Sequence, residues 1–250
     1  MLMNISDKDL DKPLYRIISL ERLLELFVTE KNTLVKPKYW EDVFENFILK
    51  SPVKLLSGDV AEYNYYDRMY GQCWSLHKAS DAMWRIYSSD KKGLRIRTTI
   101  RKLASTLRES QTSLAEVKCR VGKVEYLSDK KLMEVANSTF DDSGIGVDEI
   151  FRSLLVKRRA FIHESEVRAL YQELDDDSYS SDLYQYQIDP HNFIDQIMID
   201  PRRTYKEFCG IKEIIQKSTG YRGEIKRSLL YTLPKGITLD VTNILSDSST

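Results

Sequence analysis

The segment K-R-R-A-F-I-H-E-S-E-V-R at positions 157–168 has the residue types most suited to chemistry. Glu164 and Glu166 are two positions apart, so on a strand their side chains project from one face. When two carboxylates lie so close together, their mutual repulsion raises the pKa of at least one of them unless nearby cations compensate. The cations at hand are Lys157, Arg158, Arg159 and Arg168. The pattern fits a catalytic carboxylate pair, and a structural ion-pair network explains it nearly as well.

A second candidate is Arg16, which follows Tyr15 in the apolar segment L-Y-R-I-I. An arginine inside a short apolar strand needs a partner or a ligand, because a buried guanidinium is costly on its own. The planar fork of arginine suits phosphate. The alternative is an arginine on an edge strand, exposed to water.

Aromatic and polar residues crowd into the segment 72–87. Aromatic rings at helical spacing more often belong to a core than to a cofactor site. Gln72 and Ser75 near a strand end, with aromatic rings close by, would nevertheless suit a flat ring stacked between aromatics. The candidates here are Gln72, Trp74, Ser75, Trp84 and Tyr87.

The segment Y-W-E-D-V-F-E at 39–45 places three carboxylates beside Trp40 on a predicted helix. Charge on one helix face is usually a solvated surface. The alternative is that Asp42 or Glu45 caps or braces a neighbouring loop.

The elements that position these residues can be predicted from periodicity. Helices are predicted after Ser19, over 40–48, after Ser80 and over 148–161, since apolar residues recur there at helical spacing. Strands are predicted at sites that include 71–76, 93–99, 117–126 and 164–172. Helices dominate the first half and strands the second, without regular βαβ alternation. This order favours an α+β fold.

Composition excludes several classes of protein. Lysine plus arginine equals aspartate plus glutamate, 38 each, so no net charge draws the chain to nucleic acid or lipid. Cysteines number three and are scattered, which indicates a reducing compartment and no zinc site. The polar start and the lack of a long apolar run predict a cytoplasmic protein outside the membrane. We expect one domain over 1–250, with a core at about 14–231 and a disordered tail over 244–250.

Several of these segments together resemble a bacterial domain-of-unknown-function family. The matching motifs are L-Y-R-I (14–17), W-E-D-V-F-E (40–45), C-W-S (73–75), W-R-I-Y (84–87), F-I-H-E-S-E-V-R (161–168), I-D-P (199–201) and R-S-L-L-Y (227–231). Val43 stands where that family usually has proline. The family's layout looks like a divergent ADP-ribosyltransferase, which implies a split mixed or antiparallel sheet with helices packed around it.

The resemblance implies NAD as the substrate. In ADP-ribosyltransferases an arginine, a hydroxyl and a glutamate motif follow in that order, which corresponds here to Arg16, Ser75 and Glu164-Ser-Glu166. Arg16 would bind the pyrophosphate, Glu166 would stabilise the developing positive charge, and Glu164 would lie nearer the acceptor. Tyr15 and Arg168 would join the NAD site.

Implied partners are a macromolecular acceptor, protein or nucleic acid, and an inhibitor or regulatory protein, as for toxins and anti-phage effectors. Two other classes stay open. One is a non-catalytic binding or regulatory module, in which the Arg/Glu cluster is an ion-pair core. The other is a nuclease that uses Asp42, Glu45, Glu164 and Glu166 around Mg²⁺.

Overall fold

A mixed β-sheet is the largest element of the computed structural model. The structure describes residues 1–40, 42–62, 64–78, 80–111, 114–140, 145–175, 181–233 and 236–238. The turn-rich segments 141–146 and 175–182 fall partly outside these ranges, and the expected disordered tail over 244–250 falls wholly outside them.

Strands and helices alternate irregularly along the described chain. The strands are β1 (Leu2–Met3), β2 (Pro13–Ile18), β3 (Lys31–Val35), β4 (Val53–Lys54), β5 (Val60–Ala61), β6 (Met69–Ser75), β7 (Leu94–Thr99), β8 (Cys119–Lys123), β9 (Glu125–Leu127), β10 (Val156–Arg158), β11 (Glu166–Gln172), β12 (Leu183–Gln187), β13 (Gln196–Ile199) and β14 (Glu224–Arg227). The helices are α1 (Leu20–Thr29), α2 (Phe47–Lys50), α3 (Asp81–Tyr87), α4 (Ile100–Glu109), α5 (Ala115–Lys118), α6 (Asp129–Ser138), α7 (Val147–Ser153), α8 (Pro190–Phe193) and α9 (Tyr205–Thr219).

The main sheet has the strand order β1-β8-β11-β6-β2-β7-β13-β14, and β12 and β3 attach beside β6. The pairs β1–β8 and β13–β14 are parallel, while β11 pairs antiparallel with both β6 and β8. The predicted α+β class, with a mixed sheet and helices, is therefore confirmed.

The sheet opens along one edge of β6. On its other edge, β6 pairs with β11 over its whole length, from Met69 to Ser75. On the open edge, Ser75 pairs with Tyr15 of β2 and Gly71 pairs with Val35 of β3. Because β2 and β3 meet β6 at opposite ends, they leave a gap beside the middle of this strand.

Helix starts follow the capping residues. The Ser19 side chain accepts a hydrogen bond from the backbone N–H of Arg22, and Ser80 caps α3 in the same way through Met83. These predicted helix starts are confirmed. At α9, Thr204 and Glu207 form a reciprocal capping box.

The alternation along β11 separates two cores. Val167, Ala169 and Tyr171 join a large cluster that includes apolar residues of α1, α4 and α9. Leu170 belongs to a second cluster with residues of α2 and α7. Since successive side chains of a strand alternate, Glu166 lies on the same side as Leu170.

Two predicted helices are wrong in extent. The segment 40–48 contains a 3₁₀ turn at Val43–Glu45 and the beginning of the short helix α2, not one continuous helix. The helix predicted over 148–161 ends at Ser153, after which the chain enters β10 and a 3₁₀ helix at Arg159–Glu164. The predicted strand over 117–126 is divided into β8 and β9. In the described part of the chain, no helix has both the length and the apolar character needed to span a membrane.

Candidate functional site

A buried group of charged residues lies where β10, β11 and the turn before α2 meet. We call Glu45, Lys157, Glu164, Glu166 and Arg168 the ion-pair cluster. The ammonium of Lys157 lies 2.7 Å from Oε1 of Glu45 and 2.6 Å from Oε1 of Glu166, and it also pairs with Glu164. Each of these side chains is about 5% exposed. One cation therefore holds three carboxylates together, away from water.

Arg168 completes the cluster from β11. Its Nε donates to Oε2 of Glu166 at 2.7 Å, and its Nη2 donates to Oε2 of Glu45 at 2.8 Å. Nη1 donates to the backbone carbonyl of Leu154, and the guanidinium stacks on the ring of Trp40. The side chain is 0% exposed, so it has no surface left for a ligand. The predicted contact of Arg168 with NAD has no open surface in this structure, where the residue braces Glu45 and Glu166.

The two glutamates of the E-S-E motif differ in pKa. Burial and the neighbouring carboxylate of Glu166 raise the pKa of Glu164 to about 7. Burial also disfavours the charged form of Glu166, but the positive charge of Arg168 outweighs it and holds the pKa of Glu166 well below its usual range. Glu166 is thus a fixed anion, while Glu164 can gain or lose a proton near neutral pH.

A tight turn sets the positions of the two glutamates. Glu164 ends the 3₁₀ helix, and Ser165 takes a left-handed conformation with φ of 45° before β11 begins. The prediction that both glutamates lie on one strand is therefore wrong, although their carboxylates meet at Lys157. The hydroxyl of Ser75 donates to the carbonyl of Glu164 at 2.7 Å, and the N–H of Glu166 donates to the hydroxyl of Tyr126 at 2.8 Å.

A cavity of about 300 Å³ opens beside the ion-pair cluster, at the gap in the sheet. Its walls come from β2, β6, β7, α3, the turns before α2 and the segment before β11. Among the residues that line it are Tyr15, Arg16, Trp40, Asp42, Glu45, Gln72, Cys73, Trp74, Ser75, Tyr87, Arg95, Lys157, Phe161, Glu164 and Glu166. A cavity of this size lies at the lower end of the range for small-molecule sites.

The structure brings Arg16 and Tyr15 to this cavity from β2. Among the described residues, the guanidinium of Arg16 forms no hydrogen bond and no ion pair, and burial lowers its pKa. It is not the fully solvated edge-strand arginine of the alternative interpretation. Tyr15 is buried, and its ring lies 4.6 Å from the guanidinium carbon of Arg95.

Gln72 and Trp74 line the cavity, but their polar groups form hydrogen bonds within the protein. The side-chain N–H₂ of Gln72 donates to Oδ1 of Asn32 and to the carbonyl of Thr33, while its oxygen accepts from Nε1 of Trp74. This network joins β3 to β6. A ligand could therefore contact these residues only through their remaining surface.

The two aromatic residues of α3 have different environments. Tyr87 is 49% exposed, lines the cavity and donates a hydrogen bond of 3.3 Å to Oε1 of Glu164. Trp84 is 1% exposed and is absent from the described residues that line the cavity. The predicted stacking of Trp84 on a ligand has no open ring face in this structure, since the ring is enclosed by protein.

Asp42 and Glu45 are not on a solvated helix face, because their exposed fractions are 7% and 4%. Asp42 accepts from the N–H of Phe44 and pairs with Arg158 at 2.8 Å. The alternative in which these carboxylates cap or brace a loop is the one that fits. The role of Glu45 in the ion-pair cluster, and the position of Arg95 at the cavity, were not predicted from sequence.

Metal binding has little geometric support at the three clustered glutamates. Their carboxylates converge on the ammonium of Lys157, so a cation already occupies the position that Mg²⁺ would take. Within the described ranges, no group of histidine, cysteine, aspartate and glutamate side chains is arranged to hold a metal ion.

Comparison with known proteins gives structural neighbours only. No family model matches the chain, and no curated protein matches it. Thermus sp. 2.9 DarT in complex with NAD⁺ is 12% identical, with a TM-score of 0.40 over 87% of this chain and 96% of that one. The same protein in complex with ADP-ribosylated ssDNA is 11% identical, with a TM-score of 0.41 over 91% and 98% of the two chains.

Proposed function

We propose that this chain is an ADP-ribosyltransferase-like enzyme that cleaves NAD and transfers ADP-ribose to a macromolecule, a protein or a nucleic acid. The observation that carries the proposal is that one cavity has an arginine without an anionic partner in the described chain, Arg16, and two carboxylates of unequal pKa, Glu164 and Glu166. NAD offers the matching chemistry, an anionic pyrophosphate and a ribose that becomes positively charged when nicotinamide leaves.

Each group has a defined task in the proposed reaction. Arg16 binds the pyrophosphate through charge-assisted hydrogen bonds. The bond between C1′ of the ribose and the nicotinamide nitrogen breaks, and its electron pair goes to nicotinamide. The fixed negative charge of Glu166 stabilises the oxocarbenium-like transition state. A nucleophile of the acceptor bonds to C1′ and passes its proton to Glu164, whose pKa of about 7 suits a general base at neutral pH.

Tyr87 and Ser75 have supporting roles in this scheme. Tyr87 is an exposed aromatic residue at the cavity and can stack on the nicotinamide ring. The hydroxyl of Ser75 donates to the backbone carbonyl of Glu164 and accepts from the N–H of His77, so its contribution to ribose binding is limited to its second lone pair.

A second candidate is a non-catalytic binding module. It is favoured by one observation, that both carboxylate oxygens of Glu166 already accept hydrogen bonds from cations, Lys157 at 2.6 Å and Arg168 at 2.7 Å. A ribose hydroxyl would have to share these oxygens with Lys157 or Arg168. In this alternative, the cavity binds a ligand but does not catalyse a reaction.

Release of nicotinamide from NAD separates the two candidates. We would compare wild type with Glu166→Gln, with and without cell extract as the source of acceptor. Glu173→Gln is the matched control, since Glu173 is also buried and paired with a lysine, Lys118, away from the cavity. Release by wild type and by the control, but not by Glu166→Gln, supports the transferase. No release by folded wild type under either condition favours the binding module.

A further inference from the structure

A second, shallow cavity of about 440 Å³ is lined by arginines and shares no described residue with the cavity beside the ion-pair cluster. The residues that line it include Arg85, Arg202, Arg203, Thr204, Arg227 and Tyr231. Four of these six are arginines, and no carboxylate is among the described residues that line this cavity. Such a surface attracts anions.

This second cavity lies at one end of a strand–helix–strand unit. The strands β13 and β14 are parallel and adjacent, and α9 connects them. Arg202 and Arg203 come from the segment that follows β13, and Arg227 is the last residue of β14. In such units, ligands bind outside the carboxyl ends of the strands. The carboxylate of Glu207 already caps the start of α9, so the arginines and not the helix dipole have to attract an anion.

Arg227 has no carboxylate partner in the described part of the chain. Its Nε is buried and forms no hydrogen bond with any described residue. Its Nη2 donates to the backbone carbonyl of Arg203 at 3.4 Å, which is long for a hydrogen bond. A partly buried guanidinium in this state costs free energy unless an anion compensates its charge. Because Nε is sealed, a ligand in the cavity would reach this guanidinium through its Nη atoms.

The other three arginines are paired, yet each keeps free donors. The pairs are Arg85–Asp81 at 2.7 Å, Arg202–Asp200 at 2.6 Å and Arg203–Glu207 at 2.7 Å. Within the described ranges, no partner meets Nη1 of Arg202, Nη2 of Arg203 or either Nη atom of Arg85. Three carboxylates thus balance three of the four arginines, and the charge of the fourth is left over.

We propose that this second cavity binds a phosphate group, as the free ion or as part of a phosphate ester, and that Arg227 supplies the charge that holds it. The oxygens of one phosphate can accept hydrogen bonds from several guanidinium groups at once. The anion would be the partner that the charge of Arg227 lacks among the described residues. The proposal goes beyond the proposed function and does not rest on it, because the two cavities share no described residue.

The test is calorimetric titration and thermal unfolding with inorganic phosphate, against sodium chloride of matched ionic strength. Phosphate stabilises many proteins by exclusion from their surface, so variants are needed to isolate a site. The variants are Arg227→Gln and Arg227→Lys, and the matched control is Arg222→Gln. Arg222 lies just before β14, is exposed and is absent from the described residues that line this cavity. Titrations with glycerol 3-phosphate and dimethyl phosphate distinguish a monoester and a diester from the free ion.

For wild type we expect saturable phosphate binding and a matching rise in the melting temperature. Arg227→Gln should weaken phosphate binding roughly ten- to hundredfold, the range for a lost hydrogen-bonded charge, and remove the saturable part of that rise. Arg227→Lys should fall in between, because lysine keeps the charge but not the planar fork. Arg222→Gln should bind as wild type does. Without phosphate, Arg227→Gln should melt no lower than wild type, because no ion pair within the described chain is lost.

Two results would overturn the proposal. One is that folded wild type shows no saturable binding of any of the three phosphate compounds. The other is that folded Arg227→Gln binds them as tightly as wild type does. Neither readout involves NAD, so the outcomes also separate this proposal from the transferase. Arg227-dependent phosphate binding without nicotinamide release would retain this site and reject the enzyme, and nicotinamide release with an unchanged Arg227→Gln variant would do the reverse.

Discussion

Arg168 and Glu45 lie 123 residues apart in the chain, yet Nη2 of Arg168 donates to Oε2 of Glu45 at 2.8 Å in a region closed to solvent. The same guanidinium also holds Glu166 at 2.7 Å. This contact fastens the turn before α2 to β11, and it leaves Glu166 with a fixed negative charge beside the cavity. The ion-pair cluster is therefore both a structural link and the source of the electrostatics at the candidate site.

Arg168→Met should strongly destabilise the protein. The substitution leaves Glu45 and Glu166 with Lys157 as their remaining cation in the cluster, and removing one partner of a buried ion pair costs about 3–5 kcal/mol. Urea denaturation at neutral pH measures the free energy of unfolding. Arg101→Met is the control, because the side chains of Arg101 and its partner Asp11 are 55% and 74% exposed, so the loss of this surface ion pair should cost far less. Equal losses in the two variants would contradict the assigned role of Arg168.

Lys157→Met should change how stability depends on pH. Without the ammonium, Glu164 and Glu166 lie beside Glu45 with Arg168 as the remaining cation of the ion-pair cluster, so the pKa values of Glu164 and Glu166 in the folded protein rise. A carboxyl whose folded pKa lies above its unfolded value contributes stability at low pH and loses it as the pH rises. The variant should therefore be closest to wild type near pH 5 and much less stable near pH 8. A stability difference that is constant over this range would contradict the expectation.

Glu164 should give wild type a measurable loss of stability between about pH 4.5 and pH 7. Its pKa rises from 4.5 to about 7 on folding, so the folded state binds more protons in this window. The shift corresponds to about 3 kcal/mol for the isolated group. Glu166 acts in the opposite sense, because its lowered pKa gives stability that is present above about pH 4.5 and lost below it.

The variant Glu164→Gln isolates this effect. It should remove the fall in the free energy of unfolding between about pH 4.5 and pH 7 and leave the acid loss due to Glu166. Denaturation curves at several pH values measure both the slope between about pH 4.5 and pH 7 and the loss of stability in acid. The same curves for Glu173→Gln serve as the control. If Glu164→Gln keeps the wild-type slope in this window, the assignment of the titration to Glu164 is wrong.

Local signals in the sequence predicted the elements that depend on local interactions. Ser19 and Ser80 cap their helices as predicted, and the apolar side chains of β11 divide between two core clusters as the predicted alternation requires. The helix predicted over 148–161 fails for a physical reason. Its apolar spacing is helical, but residues 156–158 pair with β9, and Lys157 needs that extended backbone to reach its three carboxylates. Periodicity cannot detect partners that are brought together by the tertiary fold.

The candidate site likewise combines residues that local sequence patterns predict with residues that only the tertiary fold brings together. Glu164 and Glu166 were candidates because two carboxylates stand two positions apart among several cations, and Arg16 was a candidate because it stands in an apolar segment. It did not predict Glu45 as a partner of Arg168, nor Arg95 as part of the cavity, since the alternation of β7 gave Arg95 no sign of burial. Their importance depends on the pairing of β2 with β7 and on the turn before α2, and neither is encoded in a local motif.

We expect glycine to be required at position 71, where β6 packs against the ring of Trp40. A Cβ at this position would lie 2.4 Å from Cζ2 of Trp40 and 3.1 Å from Cδ2 of Leu170. Trp40 is the ring on which Arg168 stacks, so Gly71→Ala must displace either the ring or the strand. We expect a loss of about 1–3 kcal/mol in the free energy of unfolding, the usual cost of overpacking.

Gly210→Ala provides a control of the opposite sign. Gly210 lies inside α9, and its Cβ would meet no atom within 4 Å. Alanine is the better helix former by about 0.5–1 kcal/mol, so this variant should be more stable than wild type. Thermal unfolding of the two variants under one condition tests both signs. If Gly71→Ala is as stable as wild type while Gly210→Ala is stabilised as expected, Trp40 can move without cost, and Arg168 does not depend on its ring for its position.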